Sequence, residues 1–490
     1  MRTAQVVMAL RTPGALLRLR GWAAFSNSVL RRLGCCILAT VGFCSVGTWA
    51  NTDLQLQLLQ SQYLSDTQNR VQSDAYSSFG VRLKHQNAPE SRMVHGLDLL
   101  GLASADGTEQ AYVAAPEFYW GLNANIQKLP GKLILGRKRF AWSHFDEEWN
   151  LGIWQPYVRW DYLHPLPQGL SGAFLSLGEE GPVQVTAFAT PFFLPDQGPQ
   201  FEVIDGQFNS SNRWFRQPTN KHMVINQDRR LNYELDRPSE GDVVMNAGYG
   251  LSVLVGSEKE GPWFKASLAD KPINQMHIGI EGYHSIARLN RFLESVAVVH
   301  PVVARHNVMT LEAGYSAPDF FGWISLTEER PKDPQMPDEW EEASLYASRF
   351  IGMTLSHRLP WQGWRSHWLK YGAMTMSERL PPERLDDPED NLESSLDRYP
   401  FREVLSFEWT APFVNRASHR LDFGLRYLYS VPEKGSLLSA KLELMWRRNT
   451  RWDLGVDVLG TEGPSSVEDR GLMSLYRNND RVMGGMTYVF

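Results

Sequence analysis

The chain has 490 residues, a mass of 55.8 kDa, 43% hydrophobic residues and a mean hydropathy of −0.34. No stretch after residue 50 offers the ~20 continuous apolar residues of a spanning helix, which excludes a helical membrane protein; a soluble protein or a β-barrel remains, because a barrel strand needs an apolar residue only at alternate positions. Six of the 49 basic residues precede position 51 and all 55 acidic residues follow it, so the remainder carries a net charge of −12, which argues against nucleic acid as a partner.

In chain order, the first feature is an export signal. Arg31-Arg32 precede an apolar run from Leu33 to Val46, and Thr48-Trp49-Ala50 supplies small residues for cleavage after Ala50. A translation start nearer Arg31 is an open alternative. All three cysteines, Cys35, Cys36 and Cys44, lie inside residues 1–50, so the exported part has no disulfide framework and no thiolate metal site. Residues 51–72 form a separate N-terminal segment. Its Asp53-Leu54-Gln55-Leu56-Gln57-Leu58-Leu59 is expected to be extended or a short helix.

From residue 73 the pattern changes to short segments of period-two alternation separated by Gly, Pro, Asn and Asp. They read as strands at 73–85, 92–103, 110–124, 130–139, 153–163, 168–178, 182–192, 245–256, 260–269, 274–284, 291–302, 306–316, 320–328, 345–358, 364–377, 401–412, 418–431, 436–449, 451–461 and 480–490. That count is twenty, with eighteen the second choice. In 420–430, Leu421, Phe423, Leu425, Tyr427 and Tyr429 share one face, opposite Arg420, Asp422, Gly424 and Arg426. Trp452, Leu454, Val456 and Val458 likewise alternate with Asp453, Gly455 and Asp457. Aromatics recur at the ends of apolar faces, as at Trp154, Trp160, Tyr162, Tyr427, Trp446 and Trp452, where a membrane barrel carries its girdles. The fold class is therefore all-β, a transmembrane antiparallel up-and-down barrel of about 18–20 strands.

The last ten residues put Val482, Met486, Tyr488 and Phe490 on one alternating face, with Gly484 between them. This ending resembles the C-terminal signature of Gram-negative outer-membrane porins and their relatives. The resemblance implies an integral outer-membrane barrel over residues 73–490, inserted after export by the barrel-assembly machinery and surrounded by lipid and lipopolysaccharide. It implies no particular substrate. It also places both chain ends in the periplasm, so that 51–72 is a periplasmic or lumenal segment. The four longest polar linkers, 193–244, 329–344, 379–400 and 462–479, then all become outer loops. The connection 140–152 falls on the wrong side, either as a plug-like insert folded into the lumen or as a sign of a miscounted strand.

Charge on the lipid face costs about 2–4 kcal/mol at mid-membrane for Arg or Lys. The charges on the polar faces are therefore expected to line the lumen. They are Arg159, Asp161, His277, Glu281, Glu312, Arg402, Glu408, Arg420, Asp422, Arg426, Lys441, Glu443, Arg447, Asp453 and Asp457. They read either as a ladder of ion pairs stiffening the wall or as a transverse field across a wet pore. Loop 193–244, with Arg213, Arg216, Asp228, Arg229 and Arg230, is the candidate constriction loop or a cover over the mouth. The acidic runs Asp338, Glu339, Glu341, Glu342 and Asp386, Asp387, Glu389, Asp390 read as solvated surface, or as cation sites bridging to lipopolysaccharide.

No phosphate-binding glycine loop, His-Glu-x-x-His or Gly-x-Ser-x-Gly motif is present. Ser418-His419 is the nearest approach to a nucleophile–base pair and reads as a strand start. No catalytic residue, metal ligand or cofactor is expected. The function expected is a porin-like channel for passive diffusion of small polar solutes. Its rivals are a non-conducting surface barrel that binds polysaccharide or a partner through its outer loops, and a barrel-embedded hydrolase.

Overall fold

The computed structural model describes residues 52–490, apart from 67–71, 88–90, 105–110, 127–128, 180, 219–220, 225–226, 287–292, 333, 335, 338–339, 343–344, 361–365, 380–397, 417–418, 448 and 463–470. The signal reading of 1–50 and most of the two acidic runs fall outside these residues.

Eighteen strands pair side by side and close into one antiparallel barrel. They are β1 (Thr52–Tyr63), β2 (Ala75–Gln86), β3 (Met93–Ser104), β4 (Ala111–Ile126), β5 (Leu129–Lys138), β6 (Leu170–Leu177), β7 (Val183–Thr190), β8 (Gly248–Gly256), β9 (Gly261–Pro272), β10 (Arg305–Ala317), β11 (Phe320–Lys332), β12 (Ala347–Arg358), β13 (Trp368–Arg379), β14 (Glu403–Arg416), β15 (His419–Ser430), β16 (Gly435–Trp446), β17 (Thr450–Thr461) and β18 (Arg481–Val489). Each pairs with the next in the sequence. β1 and β18 close the ring with Gln57 opposite Thr487 and Ser61 opposite Met483. Closure leaves no sheet edge with unpaired N–H and C=O groups.

The alternation that marked the strands divides inside from outside. Leu421, Phe423 and Tyr427 of β15 point outward, as do Leu438 of β16 and Trp452 and Leu454 of β17. Several outward side chains are largely uncovered, among them Val113 at 67% and Ile324 at 62% exposure. Tyr315, Tyr371, Phe413, Trp446, Trp452 and Tyr488 are also exposed and gather near one end. At that end every connection has nine residues or fewer; at the other lie the long ones, 139–169, 191–247, 273–304, 333–346, 380–402 and 462–480.

Three expectations change. Thr52–Tyr63 is a wall strand and not a periplasmic or lumenal appendage, because its backbone pairs with β2 along one side and β18 along the other. Segment 153–163 is not a wall strand: within it, Tyr157–Val158 forms a short strand that pairs with Leu166–Pro167. Segments 274–284 and 291–302 are extended but lie outside the wall. They belong to a five-stranded sheet with Lys221–Val224, Gln227–Leu235 and Glu341–Glu342, built around Phe208, Tyr233, Ala297 and Val299. One of its pairings, Gln227–Leu235 with Leu293–Val302, is parallel, which an up-and-down wall cannot contain. Period-two alternation reports an extended half-buried chain without saying which sheet it joins.

Adding one strand and removing three turns twenty into eighteen. It also moves 140–152 to the end that carries the long loops, which removes the anomaly.

The closing register is testable in a chain with no cysteine beyond Cys44. The pair Ser61→Cys and Met483→Cys should form a disulfide on oxidation and shift the denatured band on a gel, because these residues face each other across the β1–β18 seam. The mismatched pair Ser61→Cys and Thr487→Cys should not. Equal cross-linking in both pairs would contradict the closure.

Candidate functional site: a charged lumen entered by a folded loop

Among the described residues, the five largest fully buried side chains are not in the wall. Trp142, Phe145, Trp149, Trp154 and Tyr157, with Leu151 and Ile153, are each at most 2% exposed, and all belong to the connection 139–169. Its residues meet wall strands around most of the ring. Phe140 packs on Phe174 of β6 and Trp142 on Phe188 of β7. The Trp142 carbonyl accepts from Ser267 Oγ of β9 at 2.8 Å, and Trp154 Nε1 donates to Thr310 Oγ1 of β10 at 2.9 Å. Trp160 stacks edge-on against Tyr76 of β2 and Tyr112 of β4. Asp161 pairs with Arg481 of β18 at 2.7 Å. A loop can touch all these strands only from inside the lumen.

The insertion folds around a six-residue helix, α1 (His144–Trp149). Ser143 caps it: its Oγ accepts from the Asp146 N–H at 3.1 Å. Glu312 of β10, 1% exposed, receives the Ser143 hydroxyl at 2.8 Å and the N–H groups of Phe145 and His144 at 3.0 and 3.1 Å. One wall carboxylate thus takes up donors that every helix start leaves free. Removing it would strand three donors, two of them buried, at about 1–3 kcal/mol for each buried one. Wall glycines make room for the helix. A Cβ on Gly352 of β12 would stand 2.4 Å from the Phe145 ring.

Past α1 the chain turns back through Asn150 and Gly152, both with positive φ (51° and 79°). A Cβ on Gly152 would also lie 2.5 Å from Arg159 Nη2, so glycine is required there twice over. Arg159 holds the turn by donating to the carbonyls of Asn150 and Leu151 at 3.0 Å and to Asp196 at 2.8 Å. The Asp146 carboxylate accepts from the N–H groups of Ile153 and Trp154 at 2.8 and 3.0 Å. Burial pushes the Asp146 carboxyl up to about 6; the two N–H groups and the Lys271 ammonium offset part of that rise. Asn274 Nδ2 donates to the Gly152 carbonyl at 2.6 Å, and Lys271 Nζ donates to Asn274 Oδ1 at 3.0 Å.

The insertion covers the inner face of β6–β12 with apolar surface. Across the lumen, β13–β18 present charges. Lys370 pairs with Glu148 of α1 at 2.5 Å and lies 3.7 Å from Glu408. Arg426 Nη2 reaches the Glu148 carbonyl at 3.4 Å. Arg420 pairs with Asp422 at 2.7 Å. Lys441 pairs with Glu443 and lies 3.5 Å from Asp453, which also receives Arg451 at 3.0 Å. Asp457 accepts from Arg481 at 2.8 Å and from Ser439 at 2.7 Å, and stands 3.2 Å from His164. Beside them, past the closing seam, Arg82 of β2 pairs with Asp98 of β3 at 2.6 Å.

The expected lumen residues therefore divide. Glu312, Glu408, Arg420, Asp422, Arg426, Lys441, Glu443, Asp453 and Asp457 stand on inward positions of wall strands. Arg159 and Asp161 are in the insertion. His277 and Glu281 belong to the five-stranded sheet, where Glu281 lies 3.4 Å from His300. Arg402 precedes β14, and Arg447 sits in a turn with φ 56°. The segment that enters the lumen is 139–169, where 193–244 was the candidate. Arg213 of that long loop instead ties the barrel mouth together. It pairs with Asp74 at 2.5 Å, donates to the carbonyls of Ser65 and Asn478, and lies over the Tyr63 ring. Arg216 and Arg230 are exposed, Arg230 donating to the Asp205 carbonyl at 2.7 Å. The side chains of Asp228, Arg229, Glu341 and Glu342 lie outside the described set. Val482, Met486 and Tyr488 are on the outward face of β18. Among the described residues, no group of three or more His, Cys, Asp or Glu is placed to hold a metal ion.

Sequence reasoning missed Glu148, Lys265, Lys271, Lys370 and Arg481. Lys265 and Lys271 carried a signal, since they alternate with Phe264 and Leu268; Glu148 carried none.

No family model matches the sequence, and no curated protein matches it. Among solved structures it is similar to Pseudomonas aeruginosa OccK2 (OpdF) in complex with glucuronate, at 13% identity over 90% of this chain and 96% of that one, with a TM-score of 0.44. It is similar too to Acinetobacter baumannii OccAB3, at 10% identity over 90% and 98%, TM-score 0.44. A BenF-like porin from Pseudomonas fluorescens Pf-5 matches at 9% identity over 90% and 97%, TM-score 0.44.

The raised Asp146 carboxyl predicts a pH dependence. Its folded-state value lies above the unfolded one, so its contribution is fully present in acid and is lost as pH rises from about 4 through about 6. Proteolytic nicking within 139–169 should increase over that window, and Asp146→Asn should flatten the increase. An equal slope in both proteins would contradict the assignment.

Proposed function

We propose that this chain is an outer-membrane channel through which small polar solutes diffuse, along the gap between the insertion 139–169 and the charged inner face of β13–β18 and β1–β3. The observation that carries this reading is the exposure of inward charges. The side chains of Arg420 and Lys441 are 58% and 53% exposed although they stand on the lumen face. Charges that far from burial are in water, so that side of the lumen is wet. The neighbouring side, packed with tryptophan, is dry.

The apolar belt and the aromatic ring near the short turns suit a membrane, with lipid around the wall and the long loops on the outer side. Selection in such a gap rests on its width and on the partly exposed charges of both signs along it, Arg420, Lys441 and Arg451 beside Asp422 and Glu443; where Glu148 meets Lys370 and Asp161 meets Arg481, the insertion closes on the wall. That pattern orients polar solutes and rejects apolar ones. A non-conducting surface protein is the second reading, favoured by the separate five-stranded sheet at the long-loop end.

Planar-bilayer recording separates the two. The purified protein should give discrete conductance steps, and liposomes containing it should swell in small sugars. The double variant Arg420→Glu, Lys441→Glu should shift the reversal potential in a salt gradient toward cations while still conducting. Absence of both steps and swelling would remove the channel reading.

A further inference from the structure

We propose that His85 and His95 together chelate one divalent ion of the zinc and copper class. The site would lie on the outward face of the β2–β3 hairpin, beside the short-turn end of the barrel.

The two residues come from adjacent strands. Their Nε2 atoms stand 2.9 Å apart, with ring centroids 5.0 Å apart and planes 18° apart. Two imidazole nitrogens at that distance cannot both present bare lone pairs; the gap holds a proton or a cation. Two neighbouring ligands on one ion at a metal–nitrogen distance of ~2.1 Å are about 3.0–3.4 Å apart, depending on geometry. The pair is thus at chelating separation, and small side-chain rotations would aim both lone pairs at one point.

The surroundings hold the pair in place. Thr52 Oγ1 lies 2.7 Å from His85 Nδ1. Accepting the Nδ1 proton leaves Nε2 with its lone pair, the arrangement that orients ligating histidines. On the other side, Asn87 Oδ1 accepts from the His95 N–H at 2.9 Å, and the Asn87 N–H donates back to the His95 carbonyl at 3.2 Å. The hairpin therefore fixes the backbone of His95 without using its ring.

Direction follows from parity. Arg82 and Asp98 pair on the lumen face. His85 and His95 stand an odd number of residues from them, on the face that also carries the exposed Trp120, the register partner of His95. Neither ring is buried. An ion there would keep open positions for water or an external donor, as a two-nitrogen site requires. Imidazole nitrogen favours late first-row metals over calcium or magnesium.

The test uses the tag-free exported chain in detergent, without residues 1–50 and their three cysteines, with folding checked by its heat-dependent gel mobility. Zn(II) titration should show a site whose affinity falls at least tenfold in both His85→Gln and His95→Gln. Cu(II) paramagnetic resonance should show coupling to two nitrogens in the parent and to one in each variant. A smaller loss in either variant, or a parent spectrum without two-nitrogen coupling, overturns the proposal and leaves a shared proton between the rings.

Discussion

The wall closes on itself through β1 and β18, so that its N–H and C=O groups find partners within the wall. In the membrane proposed for this chain that closure is obligatory, because no water reaches a strand there. Eighteen strands make a ring too wide to be filled by its own side chains. The remaining volume has to hold water, or protein supplied from elsewhere in the chain. The insertion 139–169 fills one side with an aromatic core, and in the channel proposed for this chain the charges of β13–β18 keep the other side wet.

The junction between the two depends on polar groups buried by the insertion itself. A loop entering a lumen brings backbone donors and acceptors that water cannot reach. Glu312 answers the start of α1, Asp146 the backbone of Ile153 and Trp154, Arg159 the carbonyls of Asn150 and Leu151, and Asn274 the carbonyl of Gly152. Each is a charged or amide side chain aimed at main chain, and together they fix one conformation of the loop. Tryptophan packing alone would tolerate several. The charged wall is held differently, by pairs such as Arg420–Asp422 and Arg451–Asp453 whose members remain partly in water and contribute little stability.

The wall was largely legible in the sequence. An apolar outer surface and a polar lumen impose a two-residue period, and residues such as Leu421, Asp422, Phe423 and Gly424 display it openly. The period failed where it had to choose a sheet. Segments 274–284 and 291–302 alternate as well as any wall strand but bury their apolar side within a sheet of their own. β1 was passed over although Leu54, Leu56 and Leu58 alternate with Gln55 and Gln57, because Leu59 interrupts the alternation on the face that carries Asp53, Gln55 and Gln57. The insertion was nearly invisible. Its tryptophans at 142, 149 and 154 follow the shape of the cavity they fill and no backbone period. Its one trace was topological: a connection on the wrong side of the membrane. The partners of the inward charges were illegible for a related reason, since Glu148 with Lys370 and Asp161 with Arg481 join residues that only the folded loop brings together.

The central claim is that the insertion narrows a water-filled lumen. Single-channel conductance of a variant in which residues 143–155 are replaced by a short Gly-Ser link tests it most directly. Phe145, Trp149 and Trp154 then leave with α1, while the strands that close the ring remain. Conductance several-fold above that of the parent chain is the predicted result. Equal conductance, with the variant barrel folded, would show that the insertion does not set the width of the path and would contradict the claim.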